Sequence, residues 1–132
     1  MKAVNSMKRS LIAITSIIAL ILGMSLYAAP ANAAGFTIGV SNGWAGNSWR
    51  ETMVCAIKAE ATLSKKVDKV LVSSRNTDAA GQAADVRAFI SQKVNAIIIN
   101  PGDKDAINPA LDEAMKAGIK VIAVDGPVSA AG

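Results

Sequence analysis

Residues 34–132 predict a doubly wound parallel α/β sheet, preceded by a short export leader over residues 1–33. Three observations carry that prediction. Four short apolar runs rich in β-branched residues alternate with three stretches whose apolar residues recur at helical spacing. Three of the four runs lack polar alternation, as in strands buried on both faces. Every run exits into polar residues, the pattern of strands that end at a crevice.

The leader comes first. Residues 11–29 carry no charge, follow Lys2, Lys8 and Arg9, and lead into Ala31-Asn32-Ala33. A basic start, an apolar middle and a small-x-small exit are the parts of a secretory signal peptide. Nineteen uncharged residues also approach the roughly 20 that span a bilayer, so an uncleaved anchor is the competing reading. Gly23, Ser25 and the exit through Ala33 favour cleavage, and either reading exports the domain.

The elements then follow in order. Phe36-Thr37-Ile38-Gly39-Val40 is the first strand, and Trp49, Met53, Ala56 and Ile57 mark the apolar face of the first helix. Val70-Leu71-Val72 is the second strand. Asp78 is placed to cap the second helix, whose face is Ala83, Val86, Phe89 and Ile90. Ala96-Ile97-Ile98-Ile99 is the third strand. The third helix, with Ile107, Ala110, Leu111, Ala114 and Met115, starts either at Asn108-Pro109 or at Asp105. Gly118 followed by Ile119 ends it, and Val121-Ile122-Ala123-Val124 is the fourth strand. Strands separated by helices require right-handed crossovers, hence a parallel sheet with helices on both faces.

Composition excludes several classes of function. The chain carries 14 basic and 10 acidic residues, but three of the basic ones lie in the leader, so the remainder carries only +1. No basic cluster of nucleic-acid size remains; Lys65, Lys66 and Lys69 read as a solvated helix end. With one cysteine and no histidine there is no internal disulfide, no Cys/His zinc site, and no Ser-His-Asp or Cys-His catalysis. Cys55 reads as a small buried hydrophobe rather than a reactive thiol. No cofactor and no metal is expected.

The strand exits narrow the ligand. The loop Gly39-Val40-Ser41-Asn42-Gly43-Trp44-Ala45-Gly46 has neither the dinucleotide nor the phosphate-loop glycine spacing, and the second strand ends in Ser73-Ser74-Arg75 instead of an acidic residue. A phosphoacceptor switch needs carboxylates where Ser41, Asn42 and Asn100 stand. A neutral polyhydroxylated ligand fits better. Sugar hydroxyls both donate and accept, which suits Asn amides, carboxylates and Arg, and their C–H faces pack on aromatic rings. Trp44 and Trp49 fall in one loop beside Ser41, Asn42, Asn47 and Arg50. The plainer alternative is that one of the two tryptophans caps the first helix against the core.

Three segments together carry a resemblance: Gly39-Val40-Ser41 followed by Asn47-Ser48-Trp49-Arg50; Val94-Asn95-Ala96-Ile97-Ile98-Ile99-Asn100-Pro101; and Ala117-Gly118-Ile119-Lys120-Val121-Ile122-Ala123-Val124-Asp125. Residues 35–132 resemble the amino-terminal lobe of the periplasmic sugar-binding proteins of ABC transporters, the ribose- and galactose-type family. Lactose-repressor relatives share this core, but they carry a DNA-binding helix-turn-helix where this chain has an export signal.

The resemblance implies a non-enzymatic receptor that captures a sugar or polyol in the periplasm and passes it to a membrane permease. It also implies ligand contacts from Ser41, Asn47, Trp49 and Arg50 after the first strand and from Asp125 after the fourth. Two departures stand out: Gly126 occupies a place where ribose-type members often have Arg, and the first loop carries about two extra residues including Trp44. The chain stops about where the family's first crossover to its second lobe begins, so half of a two-lobed clamp is expected, as a truncated product or a fragment. The rival from another class is an exported hydrolase using Asp103, Asp105 or Asp125 with a metal; Asp103 and Asp105 are more simply helix-start residues.

Overall fold

The computed structural model describes residues 35–129. Within them β1 (Phe36–Asn42), α1 (Ser48–Ser64), β2 (Val67–Ser74), α2 (Ala79–Ser91), β3 (Ala96–Asn100), α3 (Asn108–Lys116) and β4 (Lys120–Ala123) follow in the predicted order. The four strands form one parallel sheet in the order β2-β1-β3-β4. The chain moves outward from β1 to β2 through α1, then crosses back over β1 through α2 to reach β3. Because each crossover is right-handed, that reversal sends α1 to one face of the sheet and α2 and α3 to the other. The leader expectation falls on residues outside those described.

The face under α2 and α3 holds the main core. Ala83, Val86 and Phe89 of α2, Ile97 and Ile99 of β3, and Ile107, Ala110, Leu111 and Ala114 at α3 pack with Val94 and Ile119 in one cluster. Both predicted helix faces are therefore the ones buried. Gly39 is required at the centre of β1: a Cβ there would lie 2.7 Å from the Phe89 ring, so only a bare backbone lets that ring lie flat on the strand. The predicted Asp78 cap and Gly118 exit hold as well. Asp78 accepts from the Gly81 N–H at 2.8 Å. Gly118 takes φ +82° beyond α3, while Ile119 N–H donates back to the Ala114 carbonyl at 3.0 Å.

Three details differ from the sequence expectation. Helix α1 buries Val54 and Ala61 and half-buries Met53 and Ile57, leaving Trp49 and Ala56 exposed. Its apolar residues are spread around the helix, and the stripe that meets the sheet is Arg50, Val54, Ile57 and Ala61, at spacings of four, three and four. Cys55, one position round from Val54, consequently faces solvent instead of the core. Finally, α3 begins at Asn108, but that residue is not its cap. The Asp103 carboxylate accepts instead from the N–H groups of Asp105 (2.9 Å) and Ala106 (2.8 Å) in the preceding turn, and the Asn108 amide donates to Ser129 Oγ at 2.6 Å.

Candidate functional site

The sheet reverses its strand order between β1 and β3, which is where a ligand crevice opens in a doubly wound fold. At that point the register places Asn42 and Asn100 directly opposite each other, as the last residues of their strands. Side chains alternate across a sheet, so both amides share the α1 face with Ile38, Val40 and Ile98. Each asparagine is almost completely buried. Each is therefore obliged to find partners.

Those partners come from three other elements. Helix α1 runs back from the carboxyl end of the sheet, so the first member of its sheet-facing stripe, Arg50, lands over the strand ends. Arg50 Nη1 donates to Asn42 Oδ1 at 2.7 Å, and Asn42 Nδ2 donates to Ser74 Oγ at 3.3 Å. From the exit of β4, Asp125 accepts from Asn100 Nδ2 at 3.2 Å and stands 3.9 Å from Arg50 Nη2. The four side chains form a continuous polar arc. The Arg50 side chain is mostly covered, at 15% exposure, whereas that of Asp125 is 46% exposed. A carboxylate with open acceptor capacity thus sits beside a guanidinium held in place from below.

Asp125 is also held in an uncommon backbone conformation. Its φ is +65°, and the Gly126 N–H donates to the Val124 carbonyl at 2.7 Å, closing a tight turn. Positive φ at a non-glycine residue costs on the order of 1–3 kcal/mol and persists where the surroundings enforce it. The glycine that follows has a packing reason: a Cβ at position 126 would lie 3.1 Å from the Pro101 ring.

The remaining predicted site residues are placed differently. Ser41 points to the opposite face of the sheet, where its buried hydroxyl accepts from Gln82 Nε2 at 3.2 Å. Asn47 caps α1, its Oδ1 accepting from Arg50 N–H at 2.9 Å, so it sets the turn that aims Arg50. Trp49 is 53% exposed on the outer side of that turn. Neither tryptophan caps the core, because Trp44 is 52% exposed and forms a wall of a separate cleft of about 480 Å³ with Asn76, Thr77, Asp78, Gly102 and Asp103. The Asp103 carboxyl is held below its ordinary range by the backbone N–H groups of Ala106 and Asp105.

Arg50 and Asp125 are therefore the predicted residues that meet, and Asn42 and Asn100 complete the arc. The usable signal for the asparagines was their position: each ends an otherwise apolar run, one residue from a glycine or proline. Gln82 gave no such signal, because it lies within a helical apolar pattern. Among the described residues no group of three His, Cys, Asp or Glu side chains is placed to hold a metal. The carboxylates named for the hydrolase alternative do not converge: Asp103 is engaged by backbone N–H groups, Asp105 by Lys104 and Ser129, and Asp125 by Asn100 and Arg50.

Comparison with known proteins bears on the family and the fold. The family profile described as "Periplasmic binding protein domain" matches residues 38–132. No curated protein matches. Among solved structures, an ABC transporter solute binding protein from Thermobispora bispora is 33% identical, with a TM-score of 0.62 over 72% of this chain and 31% of its own. One from Mycobacterium smegmatis with bound glycerol is also 33% identical, with a TM-score of 0.66 over 72% of this chain and 32% of its own. The binding protein component of the arabinose ABC transporter of a Shewanella species, bound to L-arabinofuranose, is 33% identical, with a TM-score of 0.64 over 73% of this chain and 31% of its own. The chain thus spans about a third of the length of these proteins, which are described as solute-binding proteins and not as enzymes. The profile match over residues 38–132, together with a parallel sheet of order β2-β1-β3-β4 shared with solved structures 33% identical to it, makes this chain a member of the periplasmic binding protein domain family.

Proposed function

We propose that this chain supplies one wall of a sugar- or polyol-binding cleft in an exported receptor, which delivers its solute to the permease of an ABC transporter. The observation that carries the reading is the arc of Asn42, Arg50, Asn100 and Asp125 at the switch point. Its amides, guanidinium and half-open carboxylate offer alternating donors and acceptors, which is what vicinal hydroxyls need. A polyol hydroxyl can bridge Arg50 and Asp125 from the open side, accepting from the guanidinium and donating to the carboxylate, because at 3.9 Å the two do not close a hydrogen bond with each other. The glycerol and L-arabinofuranose bound by two of the related proteins belong to this chemical class. Asn47 sets the turn beneath Arg50, and Trp49 is an exposed ring that can stack on a C–H face at the rim. Ser41 acts from below the floor. Residues 1–33 serve as a signal peptide cleaved before Ala34, leaving the lobe of residues 34–132 in the periplasm.

Closure over the ligand is the mechanism this wall suits. One wall provides at most part of the contacts and cannot exclude water by itself, so affinity for the chain alone is millimolar or weaker, about 4 kcal/mol. Amide-resolved NMR titration with L-arabinose and with glycerol tests the reading. The side-chain amides of Asn42 and Asn100 are expected to shift together. A charge-assisted hydrogen bond contributes roughly 1.5–3 kcal/mol, so Asp125→Ala should weaken the response about tenfold to a hundredfold. Shifts that bypass these amides, or that survive Asp125→Ala, would move the site elsewhere. Mass spectrometry of exported chain that still begins at Met1 would overturn the cleavage step.

A further inference from the structure

We propose that Gln82, on the opposite side of the sheet from the polar arc, is a positioning residue that aims Asn100, and through it Asp125, at the ligand. This rests on the cleft reading above. Gln82 lies in the first turn of α2 with 1% of its surface exposed, the polar neighbour of an otherwise apolar helix face. All three of its side-chain hydrogen bonds go to strand exits. Nε2 donates to Ser41 Oγ at 3.2 Å and to the Asn100 carbonyl at 2.9 Å, while Oε1 accepts from the Gly102 N–H at 2.9 Å. The β1 exit approaches the same amide, since a Cβ on Gly43 would lie 3.1 Å from Oε1.

Asn100 is consequently gripped from both faces. Its carbonyl is held by Gln82 below and its side chain holds Asp125 above. A residue that merely filled this space would be better apolar, because a buried amide is costly wherever a partner is missing. An amide here instead locks the Asn100-Pro101-Gly102 peptides. A binding constellation loosened by even half an ångström loses much of its effect.

The test uses two variants in the L-arabinose titration, with amide exchange measured alongside. Gln82→Met matches the length of the side chain and removes its hydrogen bonds. It should weaken binding about tenfold and speed exchange at the Gly102 N–H by a similar factor. Gln82→Glu reads the same contact through pH. At about pH 5 a protonated Glu, favoured by burial, donates to the Asn100 carbonyl and still accepts from Gly102; at about pH 8 an ionised carboxylate has no donor to offer. Binding by Gln82→Glu should therefore be about tenfold tighter at the lower pH, while the wild type changes less than about twofold. The charged groups around position 82 are Arg75, Asp78 and Asp85 on the α2 side, Asp103 beyond Gly102, and Arg50 and Asp125 beyond Asn100, and all are common to both proteins. If the wild type binds and Gln82→Met binds equally well, or if Gln82→Glu shows no pH response beyond that of the wild type, the positioning role is wrong. If the wild type binds neither L-arabinose nor glycerol, the cleft reading fails, and the positioning role with it.

Discussion

The two faces of the sheet are built to different standards. Under α2 and α3, eleven buried residues close into one cluster, with Phe89 lying on Gly39 and Leu111 fully enclosed. Under α1, Val54 and Ala61 are the helix's buried residues, and an apolar groove of about 290 Å³ runs between Ile57 and Ala61 of the helix and Ile38, Val67 and Ile98 of the sheet. Ile122 of β4 is exposed. Yet the open face carries the polar arc, while the dense face carries Gln82 beneath it. Stability is concentrated on one side of the sheet and solute-facing chemistry on the other.

The sharpest way to break this contrast is to cut the dense face. Leu111→Ala should cost about 2–5 kcal/mol, because a fully buried side chain leaves a cavity its neighbours cannot close. Urea unfolding measures it, and a loss below about 1 kcal/mol would mean that this face is as loose as the other. Overfilling comes next. Gly39→Ala should cost about 1–3 kcal/mol by driving a methyl into the Phe89 ring, and Phe89→Leu should recover part of that loss in the double variant. On the open face, Ile57→Ala should cost only about 1 kcal/mol, since that side chain is half-buried beside the groove. A cost equal to that of Leu111→Ala would erase the distinction.

Acid sharpens the comparison from another direction. The carboxylates of Asp103, Asp105 and Glu113 are all held below their ordinary range, and all belong to α3 or to the turn leading into it. Backbone N–H groups hold Asp103, Lys104 and Ser129 hold Asp105, and Arg87 holds Glu113. A depressed folded pKa contributes stability that is present above the unfolded value of about 4 and is lost as pH falls through the folded one. These sites are open to solvent, so the effect is the smallest of the four. Melting temperature should stay flat down to about pH 5 and decline below about pH 4, with amide exchange rising in α3 before α1. Earlier loss in α1 would place the acid-sensitive contacts on the wrong face.

What could be read from the sequence was whatever depends on local order. Strand runs, the faces of α2 and α3, the Asp78 cap and the Gly118 exit each rest on residues close together in the chain, and short-range sterics and hydrogen bonding decide them. Helix α1 shows where that reading stops. Its apolar residues span more than one face, so local periodicity admitted a stripe through Trp49 and Ala56, and contact with β1 and β2 selected the one through Arg50, Val54, Ile57 and Ala61. That rotation exposes Cys55 and brings Arg50 over Asn42. The site obeys the same division. Asp125 and Arg50 could be named because each lies in a segment that carries the family resemblance, just beyond a strand exit. Their meeting, the pairing of Asn42 with Asn100, and the grip of Gln82 on Asn100 join residues 18 to 75 positions apart in sequence. Such distances are closed by the order of the strands in the sheet, which depends on how all seven elements bury their faces at once.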